Sequence, residues 1–147
     1  MSDANETRPQ TPEHSDGGQA FFTSIGCMDG RVQDPVTEFG RKKFDAQFAD
    51  TITEAGLVGE LAADEIDSSL KESIRFKLVD ISLEKHRSKG VIVHGHQECA
   101  GNPVPDEVHK ENVRKAAGFI RSLVPGLQVI PVFVIKEEES WKVLPLN

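Results

Sequence analysis

The sequence predicts an α/β fold built on a mostly parallel β-sheet flanked by helices. Three observations lead there. Short apolar runs of strand character alternate along the chain with amphipathic runs of helical character, the order that builds parallel sheets. Val91-Ile92-Val93 is an unbroken β-branched run, the pattern of a strand buried on both faces. The residues richest in chemistry, Cys27 and His96, each follow directly on such a run. Open parallel sheets gather their ligands beyond the carboxyl ends of strands.

Taken in order, Ala20 to Gly26 reads as a short buried strand that delivers Cys27 into a loop. Asp34-Pro35 is a helix-start pair, with Asp as N-cap and Pro at the first helical position. Val36 and Phe39 give that helix an inward face, and Gly40 is a stop signal. Gln47 to Thr53 alternates apolar and polar residues as a second strand. The longest helix is expected from about Asp64 to His86, with Ile66, Leu70, Ile74, Leu78 and Ile81 on one face. Phe76, Val79 and Leu83 form a second apolar stripe, so the helix is expected to meet a sheet on one side and a partner subunit on the other. Lys89-Gly90 ends it, and Val91 to Val93 then carries His94-Gly95-His96 to a strand end. Asp106 caps a helix running to about Val124, with Val113, Ala116, Ile120 and Leu123 inward. Leu127 to Ile135 is a strand in which Pro131 predicts an edge or a bulge. Trp141 to Leu144 is a last short strand, and Lys136 to Glu139 a solvated turn.

Residues 1–19, rich in Asp, Glu, Ser, Pro and Gly, read as a disordered acidic tail, and 20–147 as a single domain long enough to bury a core. A formal charge of −7 without a basic cluster argues against nucleic acid as a partner. No apolar run reaches the length of a membrane span, and the first residues lack the apolar stretch of a secretory signal. The expected location is therefore cytoplasmic, where thiols stay reduced and available to metal.

Two distant motifs carry the chemistry: Cys27-Met28-Asp29-Gly30-Arg31 and Gly95-His96-Gln97-Glu98-Cys99-Ala100-Gly101. By themselves, the two cysteines of the chain read as buried thiols or a disulfide. With Asp-x-Arg beside one and His-x-x beside the other, they read as zinc ligands. Cys27, His96 and Cys99 would supply two sulfurs and one imidazole nitrogen. Asp29 would either complete the tetrahedron as fourth ligand in a closed state or give way to water. Three protein ligands with a displaceable fourth is the arrangement of a catalytic zinc. Arg31 is the competing partner of Asp29, because a guanidinium fork matches a carboxylate bidentately; the plainer reading is a structural ion pair. Gly95, Ala100 and Gly101 are small enough to let backbone and a small substrate come close to the metal. His94 reads as a satisfied core histidine, His86 and His109 as surface residues, and Glu54 and Glu98 as solvent-facing or capping.

The paired motifs resemble those of the β-class carbonic anhydrases. Ser82-Leu83-Glu84, followed by Lys89 to Gly101, is similar to that family's "SLEYA…VKHIVVCGHSxCGG" stretch, and Thr53-Glu54-Ala55-Gly56 stands where the family has "RNAG". Ala100 replaces the first glycine of "CGG". The resemblance covers roughly Phe21 to Ile135 of a chain shorter than most members. It implies Zn²⁺ held by Cys27, His96 and Cys99, and a catalytic dyad of Asp29 and Arg31. It also implies reversible hydration of CO₂ to bicarbonate through a zinc-bound hydroxide, and a homodimer or higher homo-oligomer. A CS₂ or COS hydrolase on the same scaffold, or a catalytically silent zinc-binding or bicarbonate-sensing protein, are the alternatives.

Overall fold

The computed structural model describes residues 18–147, so all but the last two residues of the expected tail lie outside the described residues. The elements in chain order are β1 (Phe21–Cys27), α1 (Gly30–Phe44), β2 (Phe48–Glu54), α2 (Leu57–Leu61), α3 (Ser68–Arg75) with a π-helical continuation (Phe76–Leu83), β3 (Val91–His96), α4 (Asp106–Leu123), β4 (Val129–Glu137) and β5 (Ser140–Pro145). The five strands form one sheet in the order β2-β1-β3-β4-β5. The pairs β1–β2, β1–β3 and β3–β4 are parallel, and only β4–β5 is antiparallel. This is the mostly parallel α/β sheet the sequence predicts. No helix among the described residues is long and apolar enough to cross a membrane.

Strand alternation divides the core into two layers. Ile25, Val91, Val93, Val129 and Phe133 face Leu57, Leu61, Ile74, Leu78, Val113 and Ile120 of the helices on one side. Phe22, Ile92, Val132 and Val134 face Val32, Val36 and Phe44 of α1 on the other. Each fully buried aliphatic or aromatic side chain here contributes roughly 1.5–3 kcal/mol against exposure.

Four expectations are corrected. Helix α1 begins at Gly30, with Asp29 rather than Asp34 as N-cap, and Pro35 lies inside the helix. Asp29 accepts the Arg31 backbone N–H at 2.9 Å, which satisfies one of the open donors of the first turn. Gly40 does not stop that helix. A Cβ there would sit 2.1 Å from the Phe22 ring, so glycine serves to bring the helix close to β1, and the chain leaves helical geometry only at Asp45 (φ 51°).

The long helix starts at Ser68, capped by Asp67, and turns π-helical from Phe76. Bonds such as Glu84 N–H to Val79 C=O and His86 N–H to Ile81 C=O span five residues. The wider turn puts Ser82 inside after Ile74 and Leu78, and leaves Ile81 and Phe76 outward. Ser82 is drawn inward by a polar chain: its hydroxyl donates to Asp50 at 2.7 Å and meets the Thr23 hydroxyl at 2.6 Å. The short α2 had no sequence signal.

Pro131 lies on β4, which is paired on both sides and is no edge. Its carbonyl accepts Leu146 N–H at 2.8 Å, beyond the last β5 pairing at Val132–Pro145. The missing N–H is therefore the other half of the last pair at the end of the β5 ladder, where only one bond is forgone.

Candidate metal centre

Parallel pairing sets Gly26 level with His94, so Cys27 and His96 emerge together at the carboxyl ends of β1 and β3. These are the two strands between which the chain order reverses, the crevice where open α/β sheets bind ligands. A turn then returns Cys99, with Glu98 in left-handed conformation (φ 57°). The two thiols are free and buried, with their sulfurs 3.8 Å apart. Cys27, His96 and Cys99 each offer a donor atom within 4.8 Å of the others. Two sulfurs on one tetrahedral zinc, at Zn–S bonds of about 2.3 Å, would stand about 3.8 Å apart, so the spacing fits.

The histidine is prepared in the same sense. His96 Nδ1 lies 2.6 Å from the Gln97 carbonyl and donates to it, which turns Nε2 toward the two thiols. That Nε2 is buried without a hydrogen-bond partner by geometry among the described residues. A buried ring nitrogen beside two thiols is a donor set that could hold a metal ion. Gln97 is itself fixed, donating to Asp106 and accepting the Lys136 N–H, both at 2.8 Å.

Burial works to raise the Cys27 thiol, but the His96 ring and the N–H groups of Gly56 and Asp29 outweigh it and bring it down to about 7. Gly56 N–H points at Cys27 Sγ from 3.4 Å. Burial raises Cys99, and the Cys27 charge raises it further. One thiol is thus poised to ionise before the other.

Asp29 stands at the mouth of this set, with Oδ2 3.9 Å from His96 Nε2. Both its oxygens are taken by Arg31: Oδ1 accepts Nε–H at 3.0 Å and Oδ2 accepts an Nη2–H at 2.8 Å. Those side-chain bonds hold the Asp29 carboxyl down at about 2, against the opposing effect of burial. Gln33 ties the turn by donating to the carbonyls of Cys27 and Asp29 at 2.9 and 2.8 Å.

All five residues singled out from the sequence (Cys27, Asp29, Arg31, His96 and Cys99) meet here. The environment differs from expectation in several places. Gly95 and Gly101 serve close packing, as the expected approach of backbone requires, and the space beside them is filled by protein. A Cβ on Gly95 would meet His109 Nε2 and Val113 of α4 at 2.7 Å, and one on Gly101 would meet Ala55 and Gly56. His109 is no surface residue: it is buried, its ring 5.4 Å from Phe133 and 6.3 Å from His96, and burial lowers it to about 4. His94 is in the core as expected but not satisfied, since neither ring nitrogen has a hydrogen-bond partner among the described residues; burial keeps it neutral. His86 is half-buried, with Nδ1 2.7 Å from Asp50 and its ring stacked on Phe21. Glu98 does not simply face solvent: its carboxylate and its carbonyl both hold Arg31, at 3.0 and 3.2 Å. Trp141, read from the sequence only as part of a strand, lies under the Arg31 guanidinium at 4.8 Å and edge-on to His96 at 6.4 Å. The only local hint was an aromatic with a polar handle in a short strand.

A family model described as "putative carbonic anhydrase" matches residues 17–146 of the chain. No curated protein and no solved structure matches it.

Proposed function

The chain belongs to the family described as "putative carbonic anhydrase", and from that premise we propose that it catalyses the reversible hydration of CO₂ to bicarbonate at a zinc held by Cys27, His96 and Cys99. The observation that carries the reading is the pairing of an open three-donor set with a carboxylate kept at its rim by an arginine. When bound, zinc supplies Lewis acidity that ionises water near neutral pH.

This chain's residues do the rest. Gln97 and Gly56 fix the ligands His96 and Cys27 from behind. Asp29, an acceptor at nearly all pH values, orients the attacking water through Oδ2 while Arg31 holds it clear of the donors. The Asp29–Arg31 pairing supports an open site over a permanently closed one, and so supports an enzyme over a silent zinc protein. Two thiolates pass more charge to a metal than imidazoles do, so the working pKa belongs above that of a three-histidine site. We further propose a cytoplasmic homodimer. The outward Phe76 and Ile81 of the π-helical stretch support a partner on that face.

Stopped-flow CO₂ hydration by the zinc-loaded protein is the test. The expected outcome is turnover with a pH–rate midpoint at or above 7. Asp29→Ala should abolish that turnover while leaving zinc stoichiometric. Stoichiometric zinc with no hydration from neutral to alkaline pH would refute the enzyme reading. Sulfide release from CS₂ or COS without CO₂ turnover would move the substrate to those compounds.

A further inference from the structure

Arg31 has a harder task than its contact with Asp29 suggests. Its side chain is 46% exposed, so water competes for every N–H it offers. An exposed ion pair of two flexible partners is weak and transient. Yet four of its five N–H groups are engaged, and two of those four belong to Glu98: Nη1 donates to Glu98 Oε1 at 3.0 Å and Nη2 to the Glu98 carbonyl at 3.2 Å. Asp29 grips one edge of the fork and Glu98 the other. The flat face lies on the Trp141 ring at 4.8 Å, where cation and π-face attract. Trp141 itself is wedged, with its ring edge-on to the His96 ligand ring at 6.4 Å.

Glu98 reaches Arg31 with both its carbonyl and its carboxylate from a left-handed backbone (φ 57°), a conformation uncommon for this residue type. Lys136 Nζ, 3.9 Å away, helps anchor the same carboxylate. The two residues come from separate parts of the chain, the loop after β3 and the strand β5.

We propose that Glu98 and Trp141 are positioning residues: they lock the Arg31 guanidinium onto Asp29 and thereby keep that carboxylate off the metal donor set. The proposal rests on the carbonic anhydrase reading for its consequence, though not for the clamp itself. Freed on one edge and one face, Arg31 would release Asp29 Oδ2 to turn toward the nearby donors.

Two readouts test it. The first needs no metal. In the zinc-free protein the Arg31 Nε–H resonance, assigned by its loss in Arg31→Lys, should exchange slowly with solvent. Exchange should quicken at least tenfold in Glu98→Gln and Trp141→Leu, with Trp141→Phe restoring most of the protection. The second loads the same proteins with Co²⁺ and follows the visible absorption with pH, with Asp29→Asn as the reference lacking a carboxylate. A freed Asp29 competes better with hydroxide for the fourth position, so the spectral midpoint should rise by at least half a pH unit, about a threefold shift in population. A merely structural loss would lower cobalt stoichiometry without moving that midpoint. Wild-type exchange rates in both variants, or cobalt curves that superpose on wild type, would overturn the proposal. Failure of the wild-type protein to bind cobalt or hydrate CO₂ would count against the enzyme reading instead, and the Nε–H exchange would still decide the clamp.

Discussion

Gly101→Ala tests whether the ligand-bearing loops must touch at the level of the backbone. Gly56 (φ 62°) and Gly101 press together: a Cβ on Gly101 would lie 2.5 Å from the Ala55 carbonyl carbon and 2.6 Å from the Gly56 nitrogen. Ordinary contact begins near 3.4 Å, and backbone cannot swing aside as a side chain can, so the loops must part by roughly an ångström. Overpacking of this kind costs about 2 kcal/mol, or roughly 7 °C in Tm for a chain of this size. The displacement does not stop there. Gly56 N–H supports Cys27 Sγ and Gly101 follows Cys99 by two residues, so the methyl pushes the two sulfurs apart. Disturbing a ligand's supporting contacts costs about 10–100-fold in metal affinity. Urea unfolding of the zinc-free variant gives the first quantity, and competition for zinc against a chromophoric chelator the second. Gly118→Ala is the control. Nothing lies within 4 Å of its Cβ position on α4, so it should stabilise by about 0.5–1 kcal/mol and leave zinc affinity alone. Gly101→Ala with wild-type stability and wild-type affinity would show that the loop contact is not what sets the sulfur spacing.

Removing metal should not unfold the protein, because β1 and β3 are fixed by their own ladder and two core layers. Chelation should leave the far-UV circular dichroism unchanged and lower Tm by roughly 9 °C from its value at a hundredfold excess of free zinc over Kd, the equivalent of about 2.7 kcal/mol. Loss of the spectrum on chelation would make the metal a folding element instead. Burial holds His109 at about 4, below the ~6.5 of an unfolded histidine. The unfolded chain therefore takes up the proton first, and this group's stability is intact above 6.5 and lost as pH falls toward 4. In the zinc-free protein, His109→Asn should reduce the drop in unfolding free energy between pH 7 and pH 5; equal drops would contradict the assignment. Leu78→Ala, at a fully buried position of the π-helical stretch, should cost about 2–5 kcal/mol by urea unfolding with an unchanged m-value. A loss below 1 kcal/mol would mean the stretch is not packed as described.

Much of the fold was legible because it is written locally. The β-branched run at Val91 to Val93, the alternation from Gln47 to Thr53 and the apolar spacing of Val113, Ala116 and Ile120 each encode an element without help from elsewhere. The misreadings share a different cause. Asp34-Pro35 looked like a helix start because the pair is a good one, but Asp29 offers an earlier cap and the helix interior tolerates Pro35 near its beginning. Pro131 looked like an edge or bulge residue because pairing partners are invisible in one strand's sequence; it falls opposite Leu146, at the very end of the pairing with β5. Ile81 looked inward because a 3.6-residue period was assumed, whereas the buried Thr23–Ser82–Asp50 chain favours a wider turn.

The site shows the same division more sharply. Its three clustered donors were readable because metal chemistry demands particular residue types at short spacing, and Cys-x-Asp-x-Arg and His-x-x-Cys satisfy that demand within a few residues each. The residues that tune the site meet no such local demand. His109 sits among Val108, Lys110 and Glu111 in the sequence and only tertiary packing takes it indoors. Glu98 and Trp141 are far apart in the chain and become partners only through Arg31. A guanidinium can be held by whatever carboxylate, carbonyl or aromatic face the fold brings near it, so the sequence places no constraint on where its holders come from. The donor set is therefore encoded in motifs, and the contacts around Arg31 are encoded in the topology that sets β5 beside β4 and the loop after β3 beside Arg31.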